Sequence, residues 1–166
     1  SSDKKTGALV FNGKGIQSSS QFVSEENRKT ATIVSELAKK TAGTDASGVG
    51  VDVELIKSIN VENDTFIERN FTEAEIAYCK KQPSVQSSFA GTWSAKEAVF
   101  KSLGVKSQGG GASLKDIEIT REAGKGPEVV LHGAAKEAAT KANVKNVKVS
   151  ISHDDFQSVA VAVSEK

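Results

Sequence analysis

The chain has 166 residues, the size of a single domain. Its hydrophobic share of 37% becomes about 45% when its 14 Gly residues are added, which is ordinary for a globular protein. Its 22 Lys and Arg residues nearly balance 21 Asp and Glu residues, so it lacks the basic surplus typical of nucleic-acid binding. The single cysteine excludes an intramolecular disulfide and a cysteine-rich zinc site, and no apolar run is long enough to span a membrane. We expect a cytoplasmic protein. Because the sequence contains no Met, we also expect a processed chain or a part of a longer one.

The first 47 residues are predicted to form a linker-like arm with one short helix. Ser, Gly and Lys dominate residues 1–23 around one apolar run at 8–11, a composition typical of a linker or a loosely attached arm. A helix is favoured over 25–41, because acidic residues lie in its first turn and basic residues lie in its last turn. The composition then changes, and we place a folded domain over 48–166.

From residue 48, hydrophobic periodicity predicts a strand, helices, two strands, a helix and two strands. The first strand lies at 49–55. Helices follow at 64–70, between the Thr72 capping box and Pro83, and at 85–103. Two strands near 117–119 and 129–131, a helix at 134–142, and two strands near 147–151 and 159–163 complete the domain. Three glycines at 109–111 predict a mobile loop. The order predicts an α+β fold in which helices pack on one face of an antiparallel sheet.

Asp52 and Glu54 form the first candidate site. They alternate with valines along the first strand of this domain, so both acids share the face opposite the apolar one. Two carboxylates on one strand face repel each other unless a hard divalent cation neutralises them. A solvated strand face is the alternative explanation.

The helix at 85–103 supplies the second candidate. Glu97 and Lys101 lie four residues apart, which makes them surface neighbours and compatible with an ordinary helical salt bridge. Lys96 falls within the apolar seam of this helix, where an ammonium either reaches the surface or meets an anion.

His153, at the end of a strand beside two acids, is either a turn residue or a donor to a phosphate. The run Gly124-Lys125-Gly126 lacks the spacing of a phosphate-binding loop, which argues against a nucleotide cradle. Cys79 has no partner cysteine and is predicted to be a packing residue.

Taken together, three segments resemble the 4′-phosphopantetheinyl transferases, in their short single-repeat class, the holo-acyl carrier protein synthases. They are Gly48-Val49-Gly50-Val51-Asp52, Trp93-Ser94-Ala95-Lys96-Glu97-Ala98 with Lys101, and Ser150-Ile151-Ser152-His153-Asp154. The resemblance covers residues 48–163, and the Trp-Ser-x-Lys-Glu-Ala-x-x-Lys element is specific. The run from Ser152 to Gln157 is most similar to the transferase domain of the fungal type I fatty acid synthase α subunit.

The resemblance implies a reaction in which coenzyme A donates its phosphopantetheine arm to a serine of an acyl carrier protein domain. Adenosine 3′,5′-bisphosphate is then released. The resemblance also implies that Asp52 and Glu97 hold Mg²⁺ against the pyrophosphate and that Lys101 stabilises transition-state charge. His153, together with Lys96, would contact other phosphates of coenzyme A.

Position 54 departs from the short class. There the strand runs Asp, two apolar residues, Glu, which would place the second acid at position 55, and this chain has Leu at that position. An Asp-x-Glu strand is typical of the longer two-repeat transferases, in which this Glu is a further metal ligand. Glu54 is therefore a candidate third ligand.

A single repeat forms only half of a binding cleft in the short class, so the resemblance implies a homotrimer or a multiple of it.

Two alternatives stay open: a non-catalytic docking or assembly module for carrier proteins that retains the fold, and a nucleotide-binding regulator. The presence of Asp52, Glu97 and Lys101 argues against the docking module. The regulator would bind coenzyme A without forming product.

Overall fold

The protein was analysed as a computed structural model that describes residues 6–11, 16–18, 46–104 and 113–166, with side chains within 47–104 and 113–166. The strands are β1 (Thr6–Phe11), β2 (Ile16–Ser18), β3 (Ala46–Leu55), β4 (Ile117–Thr120), β5 (Glu128–Leu131), β6 (Asn146–His153) and β7 (Gln157–Glu165). Within the described part, the strand order β2-β1-β3-β7-β6 forms one antiparallel sheet, and β4 pairs with β5 in a second.

The described α-helices are α1 (Asp64–Asn70), α2 (Glu73–Lys80), α3 (Val85–Ser102) and α4 (Gly133–Lys141). The predicted capping box is present at α2, where the Thr72 and Glu75 side chains each bond the other's backbone N–H. The α+β prediction and the order of elements from residue 48 are therefore confirmed. The helix predicted at 25–41 and the loop at 109–111 lie outside the described residues. None of the described helices is long and apolar enough to cross a membrane.

The apolar run at 8–11 belongs to the sheet, so the prediction of a loosely attached arm is wrong for these residues. β1 pairs antiparallel with β3, with Ala8 opposite Asp52. The physical reason is that β3 would otherwise expose a row of unpaired backbone N–H and C=O groups along this edge. The placement of the domain boundary at residue 47 stays a prediction.

α3 lies directly against one face of the larger sheet, and two glycines of β3 permit this close approach. A Cβ atom on Gly48 would lie 2.0 Å from the Ser102 carbonyl oxygen, and one on Gly50 would lie 2.0 Å from that of Ala98. Any larger residue at either position would push the helix off the strand. The glycines therefore bring the C-terminal half of α3 over the polar face of β3.

The core lies on both sides of the larger sheet. On the helical side, the predicted α3 seam is confirmed, because Phe89, Phe100 and Leu103 are buried. On the other side, Val51 and Val53 are buried and pack with valines of β7. The alternation of β3 thus places its valines on one face and its acids on the other, as the sequence predicts.

Candidate active site

The two acids of β3 lie beneath α3, inside the protein. Asp52 has no exposed surface and Glu54 is 3% exposed. From α3, the ammonium of Lys101 donates to Asp52 Oδ1 over 3.2 Å. The indole Nε1 of Trp93 donates to Glu54 Oε1 over 3.0 Å. The prediction that these acids share one face holds, but the alternative of a solvated face is wrong because α3 covers it.

Burial raises the pKa of each carboxyl group in this acidic cluster, which consists of Asp52, Glu54 and Glu97. Burial raises the pKa of Asp52, although the Lys101 ammonium opposes this effect. Burial, followed by the Asp52 charge, raises the pKa of Glu54 to about 10. The same two causes raise the pKa of Glu97 to about 7. Full ionisation of the cluster therefore requires positive charge beyond that of Lys101.

The donor set of the acidic cluster fits Mg²⁺. Asp52 Oδ2 is buried and has no hydrogen-bond partner within the described part of the chain, and oxygen ligands are those that Mg²⁺ prefers. Among the described residues, no group of three carboxyl, imidazole or thiol side chains lies close enough together to hold a metal ion. Mg²⁺ is commonly held by one or two carboxylates together with water and substrate phosphates. Asp52 and Glu97, with Glu54 beside them, match that requirement.

The raised pKa values predict that the metal-free protein loses stability as the pH rises from about 5 to about 8. The Glu97 carboxyl has a pKa of about 7 when folded against 4.5 as its ordinary value, so between these values only the folded state keeps the proton. Its contribution is complete below pH 4.5 and disappears above pH 7. This shift corresponds to about 3 kcal/mol.

Urea unfolding in EDTA across this pH range measures the effect. The Glu97→Gln variant should show a smaller decrease in the free energy of unfolding between about pH 5 and pH 7 than the unmodified chain. Equal decreases in the two proteins would contradict the assignment.

Lys96 lies inside the protein rather than at a ligand surface. Its side chain has no exposed area, and its ammonium donates to Glu75 Oε1 over 2.5 Å. The ammonium also lies 5.3 Å from the ring centroid of Phe71. The predicted contact between Lys96 and a coenzyme A phosphate is therefore wrong, because solvent does not reach this ammonium. The alternative that Lys96 meets an anion within the apolar seam is confirmed.

Glu75 connects three elements through its two carboxylate oxygens. Oε1 accepts from the Thr72 N–H over 2.8 Å as well as from Lys96, and Oε2 accepts from the Ile119 N–H over 2.9 Å. This carboxylate thus links the start of α2 to α3 and β4. Burial lowers the pKa of Lys96, and the Glu75 charge opposes this.

We predict that Glu75→Gln lowers the free energy of unfolding by about 3 kcal/mol, because it leaves the Lys96 ammonium buried without a counter-charge. Urea denaturation measures this loss. The double variant Glu75→Gln/Lys96→Met should recover part of it, since no charge is then left unpaired. A single variant as stable as the unmodified chain would show that the ion pair does not hold α3 in place.

His153 lies at the exposed end of β6 and lines a cavity of about 520 Å³. Tyr78, Arg121, Gly124 and Lys125 also line this cavity. The Arg121 guanidinium carbon lies 5.0 Å from the centroid of the Tyr78 ring. The structure thus places a histidine and two cationic side chains around one opening. Sequence reasoning missed Arg121 and set Lys125 aside, because residues of the β4–β5 hairpin meet the end of β6 only in three dimensions.

The structure brings together four of the six predicted site residues: Asp52, Glu54, Glu97 and Lys101. The cavity beside His153 has none of these four in its lining. His153 pairs with Ser158, which pairs with Glu54, so the backbones of His153 and Glu54 are two strand spacings apart, about 10 Å. The acidic cluster and the His153 cavity are therefore neighbouring but separate features.

A family model described as the 4′-phosphopantetheinyl transferase superfamily matches residues 48–164. The fatty acid synthase subunit alpha of Saccharomyces cerevisiae is 65% identical over the whole chain. That of Candida albicans is 60% identical over 95% of it. The chain spans 9% and 8% of the length of these two relatives.

Solved structures of holo-acyl carrier protein synthases share the fold. That of Helicobacter pylori, solved in complex with coenzyme A, is 32% identical with a TM-score of 0.59, over 70% of this chain and 99% of that one. That of Neisseria meningitidis is 26% identical with a TM-score of 0.64, over 73% of this chain and 99% of that one. The resemblance predicted from the sequence is confirmed: the chain belongs to the 4′-phosphopantetheinyl transferase superfamily, as a transferase with the holo-acyl carrier protein synthase fold.

Proposed function

We propose that this chain transfers the 4′-phosphopantetheine arm of coenzyme A to a serine hydroxyl of an acyl carrier protein domain. The carrying observation is the acidic cluster between β3 and α3, in which Asp52 is fully buried, pairs with Lys101 and keeps one oxygen without a partner among the described side chains. Membership of the transferase superfamily and the coenzyme A complex of the Helicobacter pylori relative support the donor. The fatty acid synthase relatives support a carrier domain as acceptor.

In this reaction the serine oxygen forms a bond to the phosphorus that carries the pantetheine. The bond from that phosphorus to the oxygen of adenosine 3′,5′-bisphosphate breaks, and the hydroxyl proton is released to solvent. Asp52 and Glu97 would hold Mg²⁺, with Glu54 beside them, and bound Mg²⁺ would neutralise charge on the pyrophosphate. The ammonium of Lys101, whose side chain is 10% exposed, would bind the phosphate and stabilise the charge that develops on it.

The His153 cavity supplies the remaining phosphate contacts in this proposal. Its histidine and two cationic side chains, Arg121 and Lys125, suit the phosphate groups on the adenosine side of coenzyme A. The sequence resemblance assigned these phosphate contacts to Lys96 as well as to His153. We propose Arg121 and Lys125 for them instead of Lys96.

Calorimetric titration with coenzyme A, with and without Mg²⁺, tests the proposal. We expect Mg²⁺ to strengthen binding and Glu97→Gln to remove that effect. Glu137→Gln, on the exposed surface of α4, is the matched control and should behave as the unmodified chain. Absence of coenzyme A binding under both conditions would favour the non-catalytic docking module.

We also propose that the active form is a homotrimer or a multiple of it, because the chain has one copy of each motif and the family's cleft is completed by a neighbouring subunit. The specific activity should then decrease on dilution, in step with loss of the oligomer measured by light scattering. A monomer with undiminished activity at nanomolar concentration would contradict the oligomer without affecting the proposed chemistry.

A further inference from the structure

Phe156, in the turn between β6 and β7, is an exposed aromatic side chain to which the reaction above assigns no role. It is 73% exposed, and among the described residues the other large apolar side chain on the surface, Val130, is 38% exposed. Phe156 does not line the His153 cavity. Isolated apolar side chains are common on protein surfaces, so exposure alone does not indicate a function. Two further features of Phe156, its fixed backbone and its position, do.

Hydrogen bonds on both sides fix the backbone of Phe156. The N–H groups of Phe156 and Gln157 both donate to Asp154 Oδ1 over 2.7 Å. The Phe156 carbonyl oxygen accepts from the Ile56 N–H over 2.8 Å, and the Asp154 N–H donates to the Gln157 carbonyl oxygen over 3.0 Å. The turn therefore presents the ring from a fixed backbone. A partner that covers such a ring loses little of its binding energy to the ordering of this side chain.

The turn lies close to the strand that carries the acidic cluster. In the register of β7 against β3, Gln157 pairs with Leu55 and Ala160 pairs with Asp52. Phe156 is four residues from Ala160, so its backbone lies about 15 Å from that of Asp52. A typical protein–protein contact of about 800 Å² per partner has a radius of about 16 Å. A domain that brings its serine to the acidic cluster therefore covers Phe156 as well.

The extent of the apolar surface favours a transient partner over a permanent one. One Phe side chain buries about 150–250 Å², far less than the area per partner of a stable interface. The turn adds no apolar area beside the ring, because its other exposed members include the acids Asp154 and Asp155. A carrier domain has to leave after each transfer, and a small apolar contact suits that requirement. A second copy of this chain, held permanently, would need a wider apolar face at this position.

We infer that Phe156 is an anchor for the acceptor carrier domain, an inference that rests on the proposed function. The ring packs on an apolar patch of the carrier domain within reach of the acceptor serine. The fixed turn then sets the distance between that patch and the acidic cluster. Phe156 thus contributes to affinity for the acceptor, whereas the acidic cluster and Lys101 act on the reacting phosphate.

The variant Phe156→Ser tests this inference. The hydrogen bonds of the turn use the Phe156 backbone and the Asp154 carboxylate, so the variant keeps the turn and removes the ring. With coenzyme A and Mg²⁺ saturating and the carrier domain varied, we expect the KM for the carrier domain to rise about tenfold. We expect kcat and the Kd of coenzyme A to change by less than about twofold. Phe156→Leu, which keeps an apolar side chain, should raise this KM less.

Val130→Ser, at the other exposed apolar position, is the matched control and should change none of these values. An unchanged KM in Phe156→Ser would overturn the inference and leave the proposed function intact. Loss of an oligomer in light scattering would overturn it in favour of a contact between copies of this chain. Weaker coenzyme A binding by the variant would overturn it in favour of a contact with the donor. An unmodified chain that transfers no phosphopantetheine would overturn the inference together with the proposed function.

Discussion

Asp52→Asn should lower the rate of phosphopantetheine transfer by about 10³-fold or more, the loss expected when a metal ligand at the reacting phosphate is removed. Asp52 is fully buried, pairs with Lys101 and presents an oxygen to which none of the described residues donates a hydrogen bond. Asn has nearly the same shape, so the variant removes the charge without leaving a cavity. Mass spectrometry of an apo carrier domain, sampled over time with coenzyme A and Mg²⁺, measures the rate.

Stability provides the control for this prediction. Because Asp52 adds repulsion to Glu54 and Glu97, Asp52→Asn should melt in EDTA at a temperature no lower than that of the unmodified chain. Glu137→Gln should keep full activity. Full activity of Asp52→Asn in Mg²⁺ would contradict its assignment as a metal ligand.

Lys101→Met should lower kcat by about 10²-fold, with a much smaller change in the Kd of coenzyme A. The Lys101 ammonium lies 3.2 Å from Asp52 Oδ1 and its side chain is nearly buried. In the proposed reaction, this position is where charge develops during transfer. Single-turnover kinetics separate this rate from binding, which calorimetry measures independently.

Lys101→Arg shows whether kcat depends on the charge of this side chain or on its shape, since Arg keeps the positive charge in a larger, planar group. We expect Lys101→Arg to be intermediate in kcat between Lys101→Met and the unmodified chain. Unchanged kcat with weaker coenzyme A binding in Lys101→Met would instead make Lys101 a docking residue.

Local periodicity was sufficient to predict both halves of the acidic cluster. Alternation along β3 places Asp52 and Glu54 on one face, and a spacing of four on α3 makes Glu97 and Lys101 neighbours. The periodicity of the sequence gives no information about the distance between β3 and α3. That distance depends on Gly48 and Gly50, which admit the backbone of α3 and so bury the acids that the sequence had left on an open face.

Long-range partners account for the other differences between sequence and structure. The Thr72 capping box was predicted, but the same Glu75 carboxylate also binds Lys96 and the Ile119 N–H, which are distant in sequence. The pairing of β1 with β3 and the meeting of Arg121 with His153 likewise join distant segments. A specific motif can suggest that Lys96 is functional, but only packing shows that its anion is an internal carboxylate.

The central claim is tested most directly by incubating this chain with an apo carrier domain, coenzyme A and Mg²⁺, and weighing the carrier domain by mass spectrometry. We predict a mass gain of one phosphopantetheine group on its acceptor serine, with an equal amount of adenosine 3′,5′-bisphosphate released. EDTA or Asp52→Asn should prevent both. An unmodified carrier domain in the presence of a folded chain that binds coenzyme A would contradict the account.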